Sequence, residues 1–467
     1  MKRKMKAAIA LTLAIATVAA VFTGCANKKR TPKVPKEPIA YTTDGKEPSS
    51  TLKHTVKLNK GEYINIDFQK KVTFDTISLY ESGDNCREFN IYADNNGEWE
   101  LIYKQDRIMA YHLCYTKEIS TTKIRIEIAD CIKPVKIKKL FVYKGEKTNE
   151  SFKVSQYLRF DVENFENLIG DPGFSGYYDV VTDPIIFGPV YLNENAEICY
   201  NGGEENFGNQ LENLRKIIGN RNVNIWCCIF FDQNNESGER DLNATKDFVI
   251  NNIDKINTNI KAFVEKYNLY GIDYDWEYPR KNDQWKAYDL IVTETAKYTK
   301  VSVAIPPWAV KFSNDAKSSI EHVNVMAYDL FDQLGDHSNY YNAGYEVILK
   351  VRDFGFKDEQ ILVGIPTYAR TTDKSEFAWP TVRDDGKDLG EWGKIVKDYP
   401  YTDTNTNENK ACDGYLNSYA EVRDKTATAI DEGIGGVMIF RAFCDSPYTN
   451  QYSRTKAIKE TLDEKSE

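Results

Sequence analysis

The sequence predicts an α/β protein, a (β/α)8 TIM barrel with an N-terminal all-β sandwich domain. Two patterns indicate this fold class. Over roughly the last two thirds of the 467 residues, strand-like apolar runs alternate with longer amphipathic runs, as in repeated βα units. Before them, short alternating runs are separated by turn residues, which is typical of a β-sandwich. A chain of this length can hold both domains.

The barrel prediction depends on the number of strands. The predicted strands are Val154–Phe160, Ile185–Tyr191, Val223–Phe231, Gly271–Glu277, Val301–Ile305, His322–Tyr328, Ile361–Ile365 and Gly436–Phe440. The amphipathic runs that alternate with them are 209–218, 244–267, 283–298, 343–352, 420–430 and 453–462. Eight βα units complete one barrel, which we place at residues 152–467, with its active site at the carboxyl ends of the strands.

We place the N-terminal sandwich at residues 51–147. Its most regular features are, in order, Thr76–Glu81, Arg87–Tyr92, Gly97–Trp99, Lys123–Glu127 and Ile137–Tyr143. This order resembles the discoidin-type (coagulation factor type C) domains. The resemblance implies that the domain binds glycans through its loops. A spacer domain that packs on the barrel without a ligand is the alternative, and the sequence indicates no particular binding residues.

The first 24 residues predict a lipoprotein signal peptide, with a basic start, an apolar stretch and then Thr23-Gly24-Cys25. The small residue before Cys25 resembles a bacterial lipobox, which implies lipidation of Cys25, although Phe22 stands where Leu is usual. A plain secretory signal is the alternative. Residues 25–50 are rich in Lys and Pro and predict a flexible tether. We therefore expect an exported lipoprotein anchored to the bacterial cell membrane and facing outside, or otherwise a secreted protein.

Composition excludes some partners. The formal charge is −9, which argues against nucleic acid, and 30 Tyr, 22 Phe and seven Trp residues suit carbohydrate surfaces. The four His residues and the cysteines lack metal-ligand spacing, so we predict no metal and no cofactor. We expect a monomer.

The most informative stretch is the fourth predicted strand, where Asp273, Asp275 and Glu277 occupy every second residue. In a strand that runs to Glu277 and ends at Pro279, the three carboxyl groups share one face and the apolar residues between them share the other. Three adjacent like charges are costly unless they share protons or serve a function. The pattern favours a catalytic strand over a solvated edge strand, with Glu277 at the barrel mouth.

This stretch, Tyr270–Glu277, is similar to the DGxDxDxE signature of the family 18 glycoside hydrolases, the chitinases and endo-β-N-acetylglucosaminidases. Further similarities to that family follow in the expected order. They are Val325–Asp329 for MxYD on strand 6, Leu362–Arg370 for strand 7 and Gly435–Phe440 for GGVMIW on strand 8. The resemblance covers the chain from about Val154 onward.

Three departures from the family pattern bear on substrate. Tyr270 replaces the first aspartate, and we expect altered packing there. Phe440 replaces the tryptophan that floors the −1 sugar site, and the predicted third strand lacks SxGG. The insertion after Arg370 is short, which implies a shallower cleft.

The resemblance implies a substrate-assisted mechanism, in which the 2-acetamido oxygen of the sugar attacks. Glu277 would be the general acid. Asp275 would hold the acetamide N–H and share a proton with Asp273, and Tyr328 would donate its hydroxyl to the acetamide oxygen.

The remaining candidates are substrate-binding residues, for each of which a structural role is the alternative. They are Asp329, Tyr368, Arg370, Phe440, Trp308, Trp379 and Met326.

We therefore expect a hydrolase of β-1,4 bonds after N-acetylglucosamine (GlcNAc), with a GlcNAc-containing oligosaccharide, polysaccharide or glycoprotein as its partner and the membrane as its anchor. Chitin-type chains, the chitobiose core of N-glycans and peptidoglycan all stay open. A chitinase-like lectin without activity is the alternative, and the intact acid Glu277 argues against it.

Overall fold

The computed structural model describes residues 34–43, 45–161, 163–234, 238–371, 389–402, 406 and 408–466, and residues 34–467 form one compact unit. The predicted signal peptide, Cys25 and Trp379 lie outside the described residues, and the predictions about them stay predictions. Within these ranges, none of the helices has the length and apolar character needed to cross a membrane.

The N-terminal part of the chain is all β, as predicted. Its seven strands belong to one antiparallel sheet, ordered β2-β7-β3-β6-β4-β5 with β1 on β3. They are β1 Thr42–Thr43, β2 Val56–Leu58, β3 Tyr63–Glu81, β4 Cys86–Asn95, β5 Glu98–Gln105, β6 His112–Cys131 and β7 Val135–Tyr143. Bulges interrupt the pairing of the two longest strands, β3 and β6, where extra residues bend a strand. We call residues 39–143 the β domain.

The β domain begins earlier than the sequence predicted. Tyr41 is buried, and its hydroxyl donates a 2.7 Å hydrogen bond to the carbonyl of Leu140. The N–H of Ile39 bonds the carbonyl of Val142, and β1 pairs with β3. Burial of the Tyr41 ring stabilises this segment on the sheet, although the composition of residues 25–50 as a whole indicates a tether. The last part of the predicted 25–50 tether is therefore ordered.

The rest of the chain is a closed parallel barrel, which confirms the predicted fold class. Its eight strands, in chain order, are β8 Lys153–Arg159, β9 Asp183–Phe187, β12 Trp226–Cys228, β13 Gly271–Tyr274, β14 Lys300–Ile305, β15 His322–Val325, β16 Ile361–Pro366 and β20 Gly436–Phe440. All eight predicted strands are present at these places. Two further strands, β10 Val190–Leu192 and β11 Ile198–Tyr200, form a hairpin beside the barrel.

Helices surround the barrel. They are α1 Pro172–Ser175, α2 Glu204–Ile218, α3 Leu242–Tyr267, α4 Asn282–Thr295, α5 Asn314–Ser319, α6 Glu346–Asp353, α7 Tyr419–Glu432 and α8 Arg454–Glu464. The longest helix is α3. Asp241 caps its start, where the Asp241 carboxylate accepts the N–H groups of Asn243 and Ala244, and Asn268 caps its end in the left-handed conformation. Among the described residues, six of these eight helices coincide with predicted amphipathic runs.

The insertion after the seventh barrel strand contains a small antiparallel sheet. Its strands are β17 Arg370–Thr371, β18 Ile395–Thr402 and β19 Asn409–Tyr415, with β19 in the middle. This insertion places Lys394 close to the barrel mouth, where it contacts Asp336 and Glu421.

The β domain packs against α7, which is buried along almost its whole length because the barrel covers one side and the β domain the other. Asp424 of α7 is the central contact. Its carboxylate accepts the hydroxyl of Tyr103 at 2.5 Å and the backbone N–H of Tyr115 at 2.7 Å, and it lies 3.3 Å from His112 Nε2. An aromatic cluster surrounds this contact. Its members include Tyr80, Tyr111, Tyr115, Phe141 and Tyr143 of the β domain and Tyr340 and Tyr345 of the barrel.

We expect Asp424→Ala to lower the free energy of unfolding by about 2–4 kcal/mol, because it leaves buried donors of the β domain without an acceptor. Urea denaturation followed by fluorescence measures this change. The control is Asp463→Ala, which removes only the exposed pair with Lys459 and is expected to cost less than about 1 kcal/mol. Equal effects of the two substitutions would contradict the importance that we give to the Asp424 contact.

Candidate active site

The acidic stretch begins on β13 and continues beyond it. The predicted strand runs to Glu277, but the hydrogen-bonded strand ends at Tyr274. It ends there because β12 pairs only as far as Asp273 and β14 only as far as Tyr274. The expectation that Pro279 ends the strand is therefore wrong. The alternation of faces continues, since Asp273 lies inside the barrel while Trp276 packs against Phe231 in the outer layer.

Asp273 is the deepest of the three acids. One of its oxygens accepts Ser302 Oγ at 2.5 Å and Asn324 Nδ2 at 3.2 Å, and the other accepts the Tyr157 hydroxyl at 3.0 Å. Burial raises the pKa of Asp273, and these hydrogen bonds oppose the rise. Side chains from three other barrel strands thus hold this carboxyl group in one orientation.

Asp275 is buried, and its Oδ1 accepts no hydrogen bond from the described residues. Burial raises its pKa well above the usual range, and the neighbouring charges of Glu277 and Asp273 raise it further. Burial also raises the pKa of the half-buried Glu277, while the charge of Arg240 opposes the rise. Asp275 and Glu277 therefore titrate as a pair that retains a proton at higher pH than isolated carboxyl groups.

Arg240 and Asp232 belong to the loop between β12 and α3 and form an ion pair with each other. Burial lowers the pKa of Arg240, but the charge and hydrogen bond of Asp232 outweigh it, and the charges of Asp275 and Glu277 add to the net rise. This pair gives the third βα loop a place in the site, which the missing SxGG left unassigned. No spacing in the sequence indicates this ion pair, because the conformation of the loop brings Asp232 and Arg240 together.

Aromatic rings line the space above the acids. The ring of Phe440 stacks on that of Tyr328 with centroids 5.5 Å apart and planes 19° apart, and it meets Tyr157 edge-on at 5.6 Å. Burial raises the pKa of Tyr328 well above its usual range, and the charge of Asp275 adds to this. Gly364 permits this packing, because a Cβ there would lie 2.3 Å from the carbonyl oxygen of Val325 and 3.1 Å from the Tyr328 ring.

Met326, Tyr278 and Trp308 form one side of the mouth. Met326 is buried among the inward-facing rings, and its sulfur lies 4.0 Å from the Tyr278 hydroxyl. The ring of Tyr278 meets Trp308 edge-on at 5.5 Å, and 57% of Trp308 is exposed. An exposed indole next to the residue that follows Glu277 is a surface on which a sugar ring can stack.

Asp329, Tyr368 and Arg370 bind one another. Arg370 donates to both oxygens of Asp329, at 2.9 and 2.6 Å, and the Tyr368 hydroxyl donates to one of them at 3.0 Å. His337 Nδ1 lies 3.1 Å from the same oxygen. Burial opposes ionisation of Asp329, but the His337 bond and the Arg370 charge outweigh it and lower its pKa to about 2. These contacts also hold Asp329 at φ +58°, a conformation that non-glycine residues rarely adopt.

Tyr270 lies away from the acids, at the amino end of β13. Its ring meets Trp226 edge-on at 5.1 Å, and 37% of the residue is exposed. The departure from the family signature at this position therefore concerns packing at the bottom of the barrel, as expected.

The structure brings together Asp273, Asp275, Glu277, Tyr328 and Phe440.

Three residues that hold Asp273 were missed in the sequence. Tyr157, Ser302 and Asn324 are polar side chains in the middle of apolar barrel strands. A polar side chain inside such a strand needs a buried hydrogen-bond partner, so its position in the sequence indicates a buried polar contact. Applied to every predicted strand, that signal finds all three.

The geometry supports hydrolysis of a glycosidic bond. Such a reaction needs a carboxyl group that is protonated near neutral pH to act on the leaving oxygen, and a second group that stabilises positive charge at the sugar carbon. Burial raises the pKa of both Glu277 and Asp275, which is the direction that the first requirement needs. Paired carboxyl groups at the carboxyl end of a barrel are an arrangement that glycosidases use.

Comparisons with known proteins also indicate a glycoside hydrolase. The model of glycosyl hydrolases family 18 matches residues 195–445, more than half of the chain, and the chain belongs to this family. A probable chitinase of Penicillium expansum, LysM11, is 27% identical over 154 residues, which cover 26% of this chain. The match spans only 14% of that fungal protein.

Two solved structures share the fold. The chitinase ChiB of Flavobacterium johnsoniae has a TM-score of 0.50 and 18% identity, and the match covers 68% of this chain and 94% of ChiB. A chitinase of Bacteroides thetaiotaomicron has a TM-score of 0.51 and 16% identity, with 67% of this chain and 97% of that one covered. At these identities the likeness shows the barrel fold.

Proposed function

We propose that the protein hydrolyses β-1,4 bonds after N-acetylglucosamine by substrate-assisted retaining catalysis. The observation that carries this proposal is the buried Oδ1 of Asp275, which has no donor among the described residues and lies on the acidic stretch two residues before Glu277. A buried carboxylate oxygen without a donor is costly, and the N–H of a substrate acetamide group would satisfy it.

Each residue then has a role that follows from its surroundings. Glu277 donates a proton to the leaving oxygen, since burial keeps it protonated to higher pH than an exposed Glu. Asp275 orients the acetamide group, whose oxygen attacks the anomeric carbon and forms an oxazolinium ion. Glu277 then removes a proton from the water that opens this ion. Asp273, held by side chains from three other strands, raises the pKa of Asp275 further through its charge.

The aromatic residues bind the sugars. Phe440 and Tyr328 form the floor under the sugar that is cleaved, and Tyr328 directs its hydroxyl to the acetamide oxygen. Trp308 stacks on a sugar farther along the rim. The network of Asp329, Tyr368 and Arg370 supports Tyr328 from behind, since Asp329 follows it directly in the chain.

We propose chitin-type chains as the substrate. The names of the relatives, which are chitinases, support this choice over the chitobiose core of N-glycans. The exposed Trp308 supports it as well, because a linear GlcNAc chain offers a sugar face to a ring outside the central site.

The test incubates the full-length mature protein with chitin oligomers and, separately, with a high-mannose glycoprotein, and identifies the released ends by mass spectrometry. We expect new reducing ends from the oligomers. Release of the glycan from the glycoprotein alone would overturn the substrate assignment but keep the reaction type. Binding of oligomers without cleavage would overturn the hydrolase proposal in favour of a lectin.

A further inference from the structure

The loop after the sixth barrel strand connects the active site to the β domain. We define the β15 loop as residues 329–339. It begins with Asp329, next to Tyr328, and its backbone folds back on itself, since the N–H of Leu330 bonds the carbonyl of His337 at 2.9 Å. His337 in turn contacts Asp329 at 3.1 Å. The conformation of this loop therefore determines where Asp329 and its partners lie.

Asp332 organises the turn of the β15 loop. Its Oδ1 accepts the N–H of Leu334 at 2.7 Å and the N–H of Asp336 at 3.2 Å, and its Oδ2 accepts Asn339 Nδ2 at 3.1 Å. The carboxylate thus bonds both sides of the turn. Displacing the Asp332 side chain would release several of these bonds together.

The β domain contacts this same carboxylate. Arg107, just beyond β5, is 4% exposed, and its Nη2 lies 2.8 Å from Asp332 Oδ2. Its Nε lies 3.5 Å from Asp84 of the β domain, which orients the guanidinium group. The Asp332 side chain is also well buried, at 7% exposure, so solvent screens this ion pair little.

A second connection lies next to the first. Asp106 of the β domain is 3.6 Å from Lys394 Nζ, which is buried and lies 2.8 Å from Asp336 in the β15 loop and 2.9 Å from Glu421 of α7. Consecutive residues of the β domain therefore reach the two acids on either side of the turn, one directly and one through Lys394. Both of these connections start from adjacent residues of the β domain, Asp106 and Arg107.

We infer that Arg107 is a positioning residue of the barrel active site, and that the β domain is part of the catalytic apparatus rather than an independent module. Arg107 holds Asp332, Asp332 holds the turn, and the turn presents His337 to Asp329 beneath Tyr328. The inference concerns the conformation of the loop, and only its activity measurement rests on the proposed function.

A different result is expected if the β domain only stabilises the barrel. If the domain only stabilises the barrel by covering α7, every contact across the interface should affect stability and none should affect the β15 loop in particular. Tyr115 provides the matched control, because its hydroxyl crosses the same interface to Glu464 at 3.0 Å without contacting the loop. Tyr115→Phe removes that bond and leaves Arg107 intact.

The test compares the full-length protein with Arg107→Met, Arg107→Lys and Tyr115→Phe by hydrogen exchange of residues 329–339, measured by mass spectrometry. We expect Arg107→Met to increase hydrogen exchange of this segment about tenfold. Arg107→Lys should increase it less, since Lys keeps the positive charge but lacks the planar guanidinium group with its several donors. Tyr115→Phe should leave it unchanged. If Arg107→Met does not fold, the comparison of Arg107→Lys with Tyr115→Phe decides.

Kinetics on chitin oligomers supply the second readout. We expect Arg107→Met to lower kcat/KM about tenfold, mainly through kcat, with Arg107→Lys in between and Tyr115→Phe unchanged. Exchange of the segment that stays unchanged in Arg107→Met, or rises equally in Tyr115→Phe, would overturn the inference. If the wild-type protein cleaves no oligomer, the proposed function fails, while the exchange measurement still decides the inference.

Discussion

Glu277→Gln is expected to lower kcat on chitin oligomers by about 10²-fold or more while leaving oligomer binding intact, because general acid catalysis contributes on this scale. Gln has nearly the same shape as Glu but cannot give a proton to the leaving oxygen. Burial raises the pKa of Glu277, which favours the protonated form that this transfer needs. Steady-state kinetics and calorimetric binding measure the two effects separately.

The control for Glu277→Gln is Asp283→Asn, in the same βα unit. Asp283 lies at the start of α4 and forms an exposed ion pair with Lys246, so its loss is expected to leave kcat unchanged. An unchanged kcat in Glu277→Gln would disprove the assignment of Glu277 as the acid. A fall in kcat accompanied by an equal fall in Asp283→Asn would indicate a general effect on the unit.

Asp275→Asn is expected to lower kcat by about 10²–10³-fold, the scale on which one stabilising group acts in a transition state. It should also change the pH profile of the residual activity. Asp275 and Glu277 repel each other as carboxylates, so removing the charge at position 275 makes ionisation of Glu277 easier and lowers its pKa. Glu277 then loses its proton at lower pH, and the alkaline limb of the profile moves to lower pH.

The profile of kcat against pH, measured for both proteins on the same oligomer, checks this shift. An alkaline limb that stays in place or moves to higher pH would contradict the coupling of the two groups. Asp283→Asn again serves as the control, and its limb should coincide with that of the wild type.

The barrel and the acidic stretch of the candidate site could be predicted from the sequence because their signals are local. Each barrel strand is a short apolar run, and the alternation of Asp273, Asp275 and Glu277 lies within five residues. Strand ends were less predictable. Whether β13 stops at Tyr274 or runs to Glu277 depends on how far β12 and β14 extend beside it, and that information lies in other parts of the chain.

Residues that join distant parts of the chain could not be predicted. Arg107 and Asp332 are 225 positions apart in the numbering, and nothing near either one indicates the other. Tyr41 shows the opposite difficulty, since its buried ring helps to fix a segment whose overall composition favours a tether. The assignment of the β domain as discoidin-like stays a prediction.

The contact between Tyr115 and Asp424 has a consequence for the order of events during synthesis, since 309 residues separate its two members. The β domain leaves the ribosome first, and at roughly 5–20 residues per second about 15–60 s pass before α7 follows. Throughout that interval the aromatic face of the β domain has no partner from its own chain. This face must therefore stay covered or unfolded until the last helices of the chain are made.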